Sequence, residues 1–173
     1  VMLVGVARLT RAVLPAMRRQ KHGCIVNLSS IAGLRGAPSL GYYNASKFAV
    51  EGLSEALWQE VEPLGIKVML VEPSGFRTDW AGRSANESPL IIDDYAASSG
   101  AKREQLRAYS GKQPGDPVRA VKAIVDAVSS PNPPRHLLLG NAAFDVSTAR
   151  LESLLKELRA GEAVARAADF PKE

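Results

Sequence analysis

The sequence predicts an α/β protein in which three short parallel strands form a sheet with helices on both faces. Three observations predict this fold: short apolar runs, amphipathic segments that alternate with them, and turns rich in glycine and proline between the two. The apolar runs lack polar alternation, as expected for parallel strands that are buried on both faces. A chain of 173 residues with 46% hydrophobic and 23% charged residues is large enough to bury one core.

The first half of the chain predicts helix, strand, helix and strand. The opening segment spaces its apolar residues three and four apart, which is typical of an amphipathic helix. The β-branched run CIVNLSS and the run IKVMLVEP are bounded by turn residues and predict buried strands. The predicted elements are a helix over 1–20, a strand that ends near Ser29, a loop over 33–41, a helix from Tyr42 or Tyr43 to about Val61, and a strand over 66–73.

The second half predicts a long connection followed by helix, strand and helix. Asp116 is a candidate N-cap, with Pro117 at the first helical position. Connections as long as 80–114 are commonly lids or disordered segments. The remaining predictions are a short helix over 101–109, a helix over 117–128, a strand HLLLG at 136–140, a helix over 146–160 and a frayed tail after Gly161.

Composition and charge exclude several classes of function. The net charge is +4, and no block of lysine and arginine with interleaved aromatics predicts nucleic-acid binding. The single cysteine, Cys24, excludes an internal disulfide framework and suits a reducing compartment. No apolar stretch reaches transmembrane length and no signal peptide is evident, so we expect a cytoplasmic chain without a membrane partner. His22 and His136 have no partner at metal-ligand spacing, so no metal site is expected.

One group of side chains predicts chemistry. Tyr43 and Lys47 are four residues apart and share a helix face, whereas Tyr42 diverges from Lys47 and would form a wall of the pocket. A phenol has a pKa of about 10, which an adjacent ammonium lowers. Such a pair can exchange a proton with a carbonyl or alcohol oxygen while a serine hydroxyl holds that oxygen.

The Tyr/Lys pair alone is a weak signal, because many such pairs occur on helix surfaces. The neighbouring segments strengthen it: Ser30 ends the first strand, and the segment 73–78, PSGFRT, follows the second. Ligand sites in open parallel sheets lie beyond the carboxyl ends of the strands. We therefore expect a site at this edge.

The motifs GCIVNLSSIAG, YNASKFAVEGLSEALWQE and GIKVMLVEPSGFRTD resemble the C-terminal part of a short-chain dehydrogenase/reductase. The resemblance is detailed from residue 1 to about 80 and looser to about 158. It implies the C-terminal part of a doubly wound, Rossmann-like sheet and a single incomplete domain. The implied parts are an active-site core (1–79), a substrate lid (80–114), a last helix–strand–helix unit (115–160) and a tail (161–173).

The resemblance also implies residue roles. Ser30 would orient the reacting oxygen, Tyr43 would be the general acid/base, and Lys47 would favour the phenolate and bind the nicotinamide ribose. The reaction would be hydride transfer between NAD or NADP and a ketone or secondary alcohol. Phe76 would meet the carboxamide through its backbone, and Thr78 the phosphate side. The residues implied in cofactor binding are Tyr43, Lys47, Pro73, Ser74, Gly75, Phe76 and Thr78.

Several features depart from the family pattern. Ser74 replaces a usual glycine and would be strained at a positive φ. Met2 replaces an asparagine that holds a water of the proton relay. No glycine-rich phosphate-binding turn occurs in the sequence, so the choice between NAD and NADP cannot be made from it.

Two functions therefore stay open. The first is the oxidoreductase; the second is a truncated, catalytically silent fragment that acts at most as an interaction module. The family tends to form homo-oligomers through the helices that correspond to 1–20 and 43–61, here basic and acidic respectively. Substrate specificity would lie in the lid, where Trp80, Tyr95 and Leu106 could line a pocket, and the substrate itself cannot be read from the sequence.

Overall fold

The computed structural model describes residues 2–170. Its sheet has three parallel strands in the order β1 (Gly23–Leu28), β2 (Ile66–Pro73) and β3 (His136–Leu139). Leu28 lies opposite Val71, and Leu139 lies opposite Pro73, so the carboxyl ends of all three strands meet at one edge. The predicted parallel α/β fold is confirmed.

Side chains of β2 alternate between two cores, one on each face of the sheet. On one face, Ile66, Val68 and Leu70 pack with apolar residues from the first two helices. On the other face, Met69 and Val71 pack with the helix that follows the lid segment. Successive residues of a strand point to opposite faces, so a central strand without polar alternation is buried on both sides.

Residues 2–170 form six α-helices. Asp116 caps the fourth as predicted, because its carboxylate accepts a hydrogen bond from the Val118 N–H at 2.8 Å. The helices are α1 (Met2–Gln20), α2 (Gly41–Val61), α3 (Ala101–Tyr109), α4 (Pro117–Ser129), α5 (Asn141–Ala160) and α6 (Glu162–Arg166). Within residues 2–170, no helix combines the length and the apolarity that crossing a bilayer requires.

The structure differs from the sequence-based elements in the second half of the chain. Helix α5 begins at Asn141, directly after Gly140, rather than at residue 146. The predicted frayed tail contains α6, and its residues 171–173 lie outside the described part. The lid segment (residues 80–114) contains a 3₁₀ turn at Asp93–Tyr95 and a π turn at Ala96–Gly100 before α3.

Candidate active site

Ser30 lies at the carboxyl edge of the sheet, two residues after β1 ends at Leu28. It begins the 3₁₀ turn Ile31–Gly33 with an extended backbone (φ −177°, ψ 163°), and its Oγ accepts a hydrogen bond from the Ala32 N–H at 3.1 Å. The same Oγ lies 3.5 Å from the carbonyl oxygen of Pro73, at the end of β2. The serine hydroxyl is thus held between two strand ends, at the edge where parallel sheets bind ligands.

Tyr43 and Lys47 lie together on α2. The Lys47 Nζ is 5.8 Å from the centroid of the Tyr43 ring and donates a hydrogen bond to the Leu28 carbonyl oxygen at 2.8 Å. Burial lowers the pKa of Lys47, while the negative charge of Glu51 acts in the opposite direction. Tyr42, expected as a wall of the pocket, is instead 98% exposed. The lysine therefore joins α2 to the end of β1.

Asn44 fixes the loop between the serine and the tyrosine, a role that the sequence analysis missed. Its side-chain amide donates to the carbonyl oxygens of Ala32 at 2.9 Å and Arg35 at 3.0 Å, and its Oδ1 accepts from the Ala37 N–H at 3.1 Å. Asn44 is buried, so these three bonds replace those it would make with water. The available signal was its position beside Tyr43, directly after a loop whose backbone groups need partners.

The segment 73–78 begins at the last residue of β2 and contains no residue with a positive φ. Ser74 does not have a positive φ, so the strain considered from the sequence does not arise. The positive φ (94°) is at Gly140, where a Cβ would collide with the Ser74 Oγ. Phe76 forms a parallel bridge with Gly115, and the Thr78 Oγ1 lies 3.5 Å from the Trp80 N–H. The segment 73–78, which carries five of the seven residues expected to bind the cofactor, is therefore a loop held by hydrogen bonds at the carboxyl edge.

Two aromatic residues of the lid segment contact this edge. The Trp80 ring lies over Tyr43, with centroids 5.3 Å apart. Tyr109, which the sequence analysis did not single out, packs so close to Gly75 that a Cβ there would lie 2.8 Å from its Cε1. Tyr95, by contrast, is 57% exposed. The lid therefore contacts the site through its first turn and through the end of α3.

Behind the site lies a group that we call the buried cluster: Ser29, Glu51, Glu72 and His136. Ser29 donates a short hydrogen bond to Glu51, and the His136 Nδ1 lies 2.7 Å from the Glu72 Oε1. One carboxylate oxygen from each glutamate and a ring nitrogen of His136 lie within 4.8 Å of one another, a spacing that metal ligands can have. The expectation that His136 has no such partner is therefore wrong, because the sheet register brings it to Glu72.

Burial and charge shift the pKa values of this cluster. Burial raises the pKa of Glu51 to about 7, against the opposing hydrogen bond from Ser29, and the nearby charge of Glu72 adds to the increase. The hydrogen bond to Glu72 raises the pKa of His136. Cys24 is half-buried, and this burial raises the pKa of its thiol.

The chain is similar to known oxidoreductases over most of its length. A family model described as short chain dehydrogenase matches residues 1–88, which contain Ser30, Tyr43, Lys47 and the segment 73–78. Oxidoreductase BOA17 of Botryotinia fuckeliana is 40% identical over 152 residues, which are 88% of this chain and 55% of that protein. The chain spans about half the length of the curated relatives that it matches.

Solved structures show the same fold. A short-chain dehydrogenase from Streptomyces avermitilis superposes with a TM-score of 0.84 at 40% identity, over 97% of this chain and 60% of that one. A short chain dehydrogenase/reductase from Burkholderia phymatum, solved in complex with NAD, gives a TM-score of 0.75 at 26% identity, over 91% of this chain and 57% of that one. The chain belongs to the short-chain dehydrogenase family.

Proposed function

We propose that this chain carries the catalytic part of an NAD(P)-dependent oxidoreductase that transfers hydride between the nicotinamide and a ketone or secondary alcohol. The proposal rests on one observation: the candidate residues lie at the same edge of the sheet. Ser30 contacts Pro73 at the end of β2, and Lys47 contacts both the Tyr43 ring and the end of β1. Family membership and the NAD bound by the Burkholderia phymatum relative support the cofactor class.

The donor set at this edge fits a nicotinamide cofactor. An ammonium suits the hydroxyls of a ribose, and a backbone N–H suits a carboxamide or phosphate oxygen. In the segment 74–78 the N–H groups of Ser74, Arg77 and Thr78 already bind carbonyl oxygens of the protein, so the donors for such a contact are the N–H groups of Gly75 and Phe76. Residues for these contacts are Tyr43, Lys47, Pro73, Ser74, Gly75, Phe76 and Thr78. The bound cofactor would supply or accept the hydride.

The protein's side chains would bind the substrate oxygen and transfer the proton to and from it. The Ser30 hydroxyl, already held by Ala32, would donate a hydrogen bond to the carbonyl oxygen of the substrate. Tyr43 would give its phenolic proton to the same oxygen during reduction and take it back during oxidation. The positive charge of Lys47 would stabilise the negative charge that forms on the tyrosine oxygen.

The test uses the full-length form of the protein with NADH or NADPH and a panel of ketones. We expect ketone-dependent loss of the reduced nicotinamide absorbance, with product alcohol formed in equal amount. The matched variants are Tyr43→Phe, expected to be inactive, and Tyr42→Phe, expected to retain activity because Tyr42 is 98% exposed. Absence of turnover with both cofactors across sterol, sugar, fatty-acyl and polyketide ketones would reject the proposal.

The second candidate function is association with another copy of this chain through α1 and α2. Helix α1 exposes Leu9 and Val13, and α2 exposes Phe48. Exposed arginines on α1 and exposed glutamates on α2 are complementary, and antiparallel pairing of the two helices would bring them together. The charged residues are Arg8, Arg11, Arg18, Arg19, Glu55 and Glu60.

Light scattering after size-exclusion chromatography tests this association. We expect a dimer for the wild type and a monomer for Leu9→Glu. The control is Leu151→Glu, at an exposed leucine of α5, which should stay dimeric. A monomeric wild type that is fully folded would rule the association out.

A further inference from the structure

The buried cluster touches every element that carries the proposed catalytic residues. Ser29 precedes Ser30, and Glu72 precedes Pro73. Glu51 lies one helical turn after Lys47 and is the acceptor of the Ser29 hydroxyl. Three of the four cluster members, Ser29, Glu51 and Glu72, are thus one residue or one helical turn from a residue of the site.

The packing around the cluster leaves little freedom. A Cβ at Gly33 would lie 2.7 Å from the Ser29 Oγ and 2.8 Å from the Glu51 Oε1, so the 3₁₀ turn after Ser30 rests directly on this pair. Glu72 is fully buried. Ser29 is buried as well, whereas Glu51 is partly buried and the His136 side chain is 49% exposed. Contact of the cluster with solvent is therefore greatest at His136.

Two oxygens of the cluster lack a partner. Neither the Glu51 Oε2 nor the Glu72 Oε2 has a hydrogen-bond partner among the described residues, and both are buried. Two ionised carboxylates at this separation would repel each other where little solvent screens them. A single proton between the two glutamates would remove one negative charge and would give one of these oxygens a hydrogen-bond donor. Two carboxyl groups that share a proton in this way titrate as a pair.

We propose that Glu51 and Glu72 share one buried proton, and that this pair positions Ser30 and Lys47 for the reaction proposed above. The positioning part rests on that proposed function; the shared proton does not. The polar and charged groups that face Glu51 come from four elements. They are Lys47 and Glu55 of its own helix, Ser29 after β1, Glu72 of β2 and His136 of β3.

Thermal unfolding across pH tests the shared proton without any assay of activity. A carboxyl whose folded pKa is about 7 binds its proton more tightly in the folded than in the unfolded chain, so its ionisation lowers the Tm as the pH rises from about 4.5 through 7. In Glu51→Gln an amide that does not ionise stands in place of the protonated acid. Over the same pH range we expect the Tm of this variant to fall by at most about half as much as that of the wild type, and the fall that remains would come from the loss of the His136 proton.

The matched control is Glu60→Gln, at an exposed glutamate of the same helix, which should follow the wild-type curve. If Glu51→Gln does not fold, Glu72→Gln changes the other glutamate of the pair. We expect this variant, too, to show a smaller decrease in Tm with rising pH than the wild type. Parallel curves for the wild type and the two cluster variants would overturn the shared proton. Stabilisation by zinc sulfate that is lost in His136→Asn would also overturn it, because a cation would then bridge the oxygens.

Steady-state kinetics of the full-length form test the positioning. We expect Glu51→Ala to lower kcat about tenfold or more with little change in the KM for cofactor, and Glu51→Gln to restore most of kcat. Wild-type kcat should fall as the pH rises above 7, and that of Glu51→Gln should not. Wild-type kcat and pH profile in Glu51→Ala would overturn the positioning role. A wild type without turnover would reject the proposed function, while the unfolding curves still decide the shared proton.

Discussion

The rings of Tyr43 and Trp80 lie with their centroids 5.3 Å apart and their planes inclined by 53°. Trp80 belongs to the 3₁₀ turn Asp79–Ala81, where the lid segment begins, and Tyr43 belongs to the first turn of α2. The proposed acid/base residue is thus in aromatic contact with the segment expected to select the substrate. Movement of the lid would change the surroundings of the phenol directly.

Replacement of the Tyr43 hydroxyl tests its role in the proposed chemistry. In the full-length form, we expect Tyr43→Phe to lower kcat by at least about a hundredfold, because proton transfer contributes on that scale. The cofactor Kd should change little, since the ring and its contact with Trp80 remain. Stopped-flow binding and steady-state turnover measure the two quantities. Retention of most of the rate would remove Tyr43 from the acid/base role.

Loss of the Asn44 amide should destabilise the fold. Asn44→Ala leaves the carbonyl oxygens of Ala32 and Arg35 and the Ala37 N–H without their partner. We expect the free energy of unfolding to fall by about 2 to 4 kcal/mol, measured by urea denaturation. Asn86→Ala, at an exposed position, is the control and should have the wild-type midpoint. Equal midpoints for both variants would contradict the anchoring role.

The close approach of Gly33 to the buried cluster predicts intolerance of any side chain there. In Gly33→Ala the new methyl group meets both Ser29 and Glu51, and we expect a loss of about 1 to 3 kcal/mol in unfolding free energy. The same substitution at Gly36 meets nothing within 4 Å and serves as the matched control. The comparison is made by urea denaturation, and a Gly33→Ala chain as stable as Gly36→Ala would argue against the tight contact.

The carboxylate of Glu87 joins two parts of the lid segment. Arg103 binds this carboxylate at 3.0 Å, and Arg107 binds it as well. The two hydrogen bonds lower the pKa of Glu87 to about 2, and the bond from Arg107 has the larger effect. A carboxyl with a lowered pKa stabilises the folded segment above its ordinary pKa of about 4.5, and this effect is lost as the pH falls through about 2.

Glu87→Gln should therefore loosen the segment at neutral pH, as acid does in the wild type. Limited proteolysis with chymotrypsin measures this, and we expect faster cleavage beside the exposed Tyr95. The control is Glu104→Gln, an exposed residue of α3, with cleavage at the wild-type rate. Identical cleavage of all three proteins would show that Glu87 does not hold the lid.

The 173-residue chain on its own should bind nicotinamide cofactors very weakly. Its sequence contains no glycine-rich turn to bind the phosphates, so only the nicotinamide end of the cofactor would have contacts. We expect a Kd above about 1 mM for both NADH and NADPH by fluorescence titration. Micromolar binding of either cofactor would contradict this expectation and would require a phosphate site elsewhere in the chain.

The elements that position the site follow from local patterns in the sequence. The run VMLV predicted a strand buried on both faces because no polar residue interrupts it, and β2 is such a strand. The four-residue spacing of Tyr43 and Lys47 predicted a common face because a helix turns once in about 3.6 residues. The start of α5 was not predicted, because its first turn carries the 61% exposed Phe144 instead of a clear apolar stripe.

The buried cluster could not be predicted in this way. Ser29 and Glu51 are 22 positions apart, and Glu72 and His136 are 64 positions apart. Their meeting depends on how α2 packs against the sheet and on the pairing of Leu70 with His136 in the β2–β3 register. Neither the packing of α2 nor the strand register produces a local pattern in the sequence. A glutamate in such a strand is therefore taken for a surface residue when only its neighbours in the sequence are considered.

The hydrogen bonds of Asn44 divide the preceding loop into two parts with different tolerance for change. The side chain of Asn44 binds backbone atoms of Ala32, Arg35 and Ala37, and its backbone N–H binds the Leu40 carbonyl oxygen at 2.7 Å; residues 38 and 39 receive no bond from it. Protein engineers could therefore diversify the positions 38 and 39 to recruit new ligands while keeping every bond that Asn44 makes to the loop.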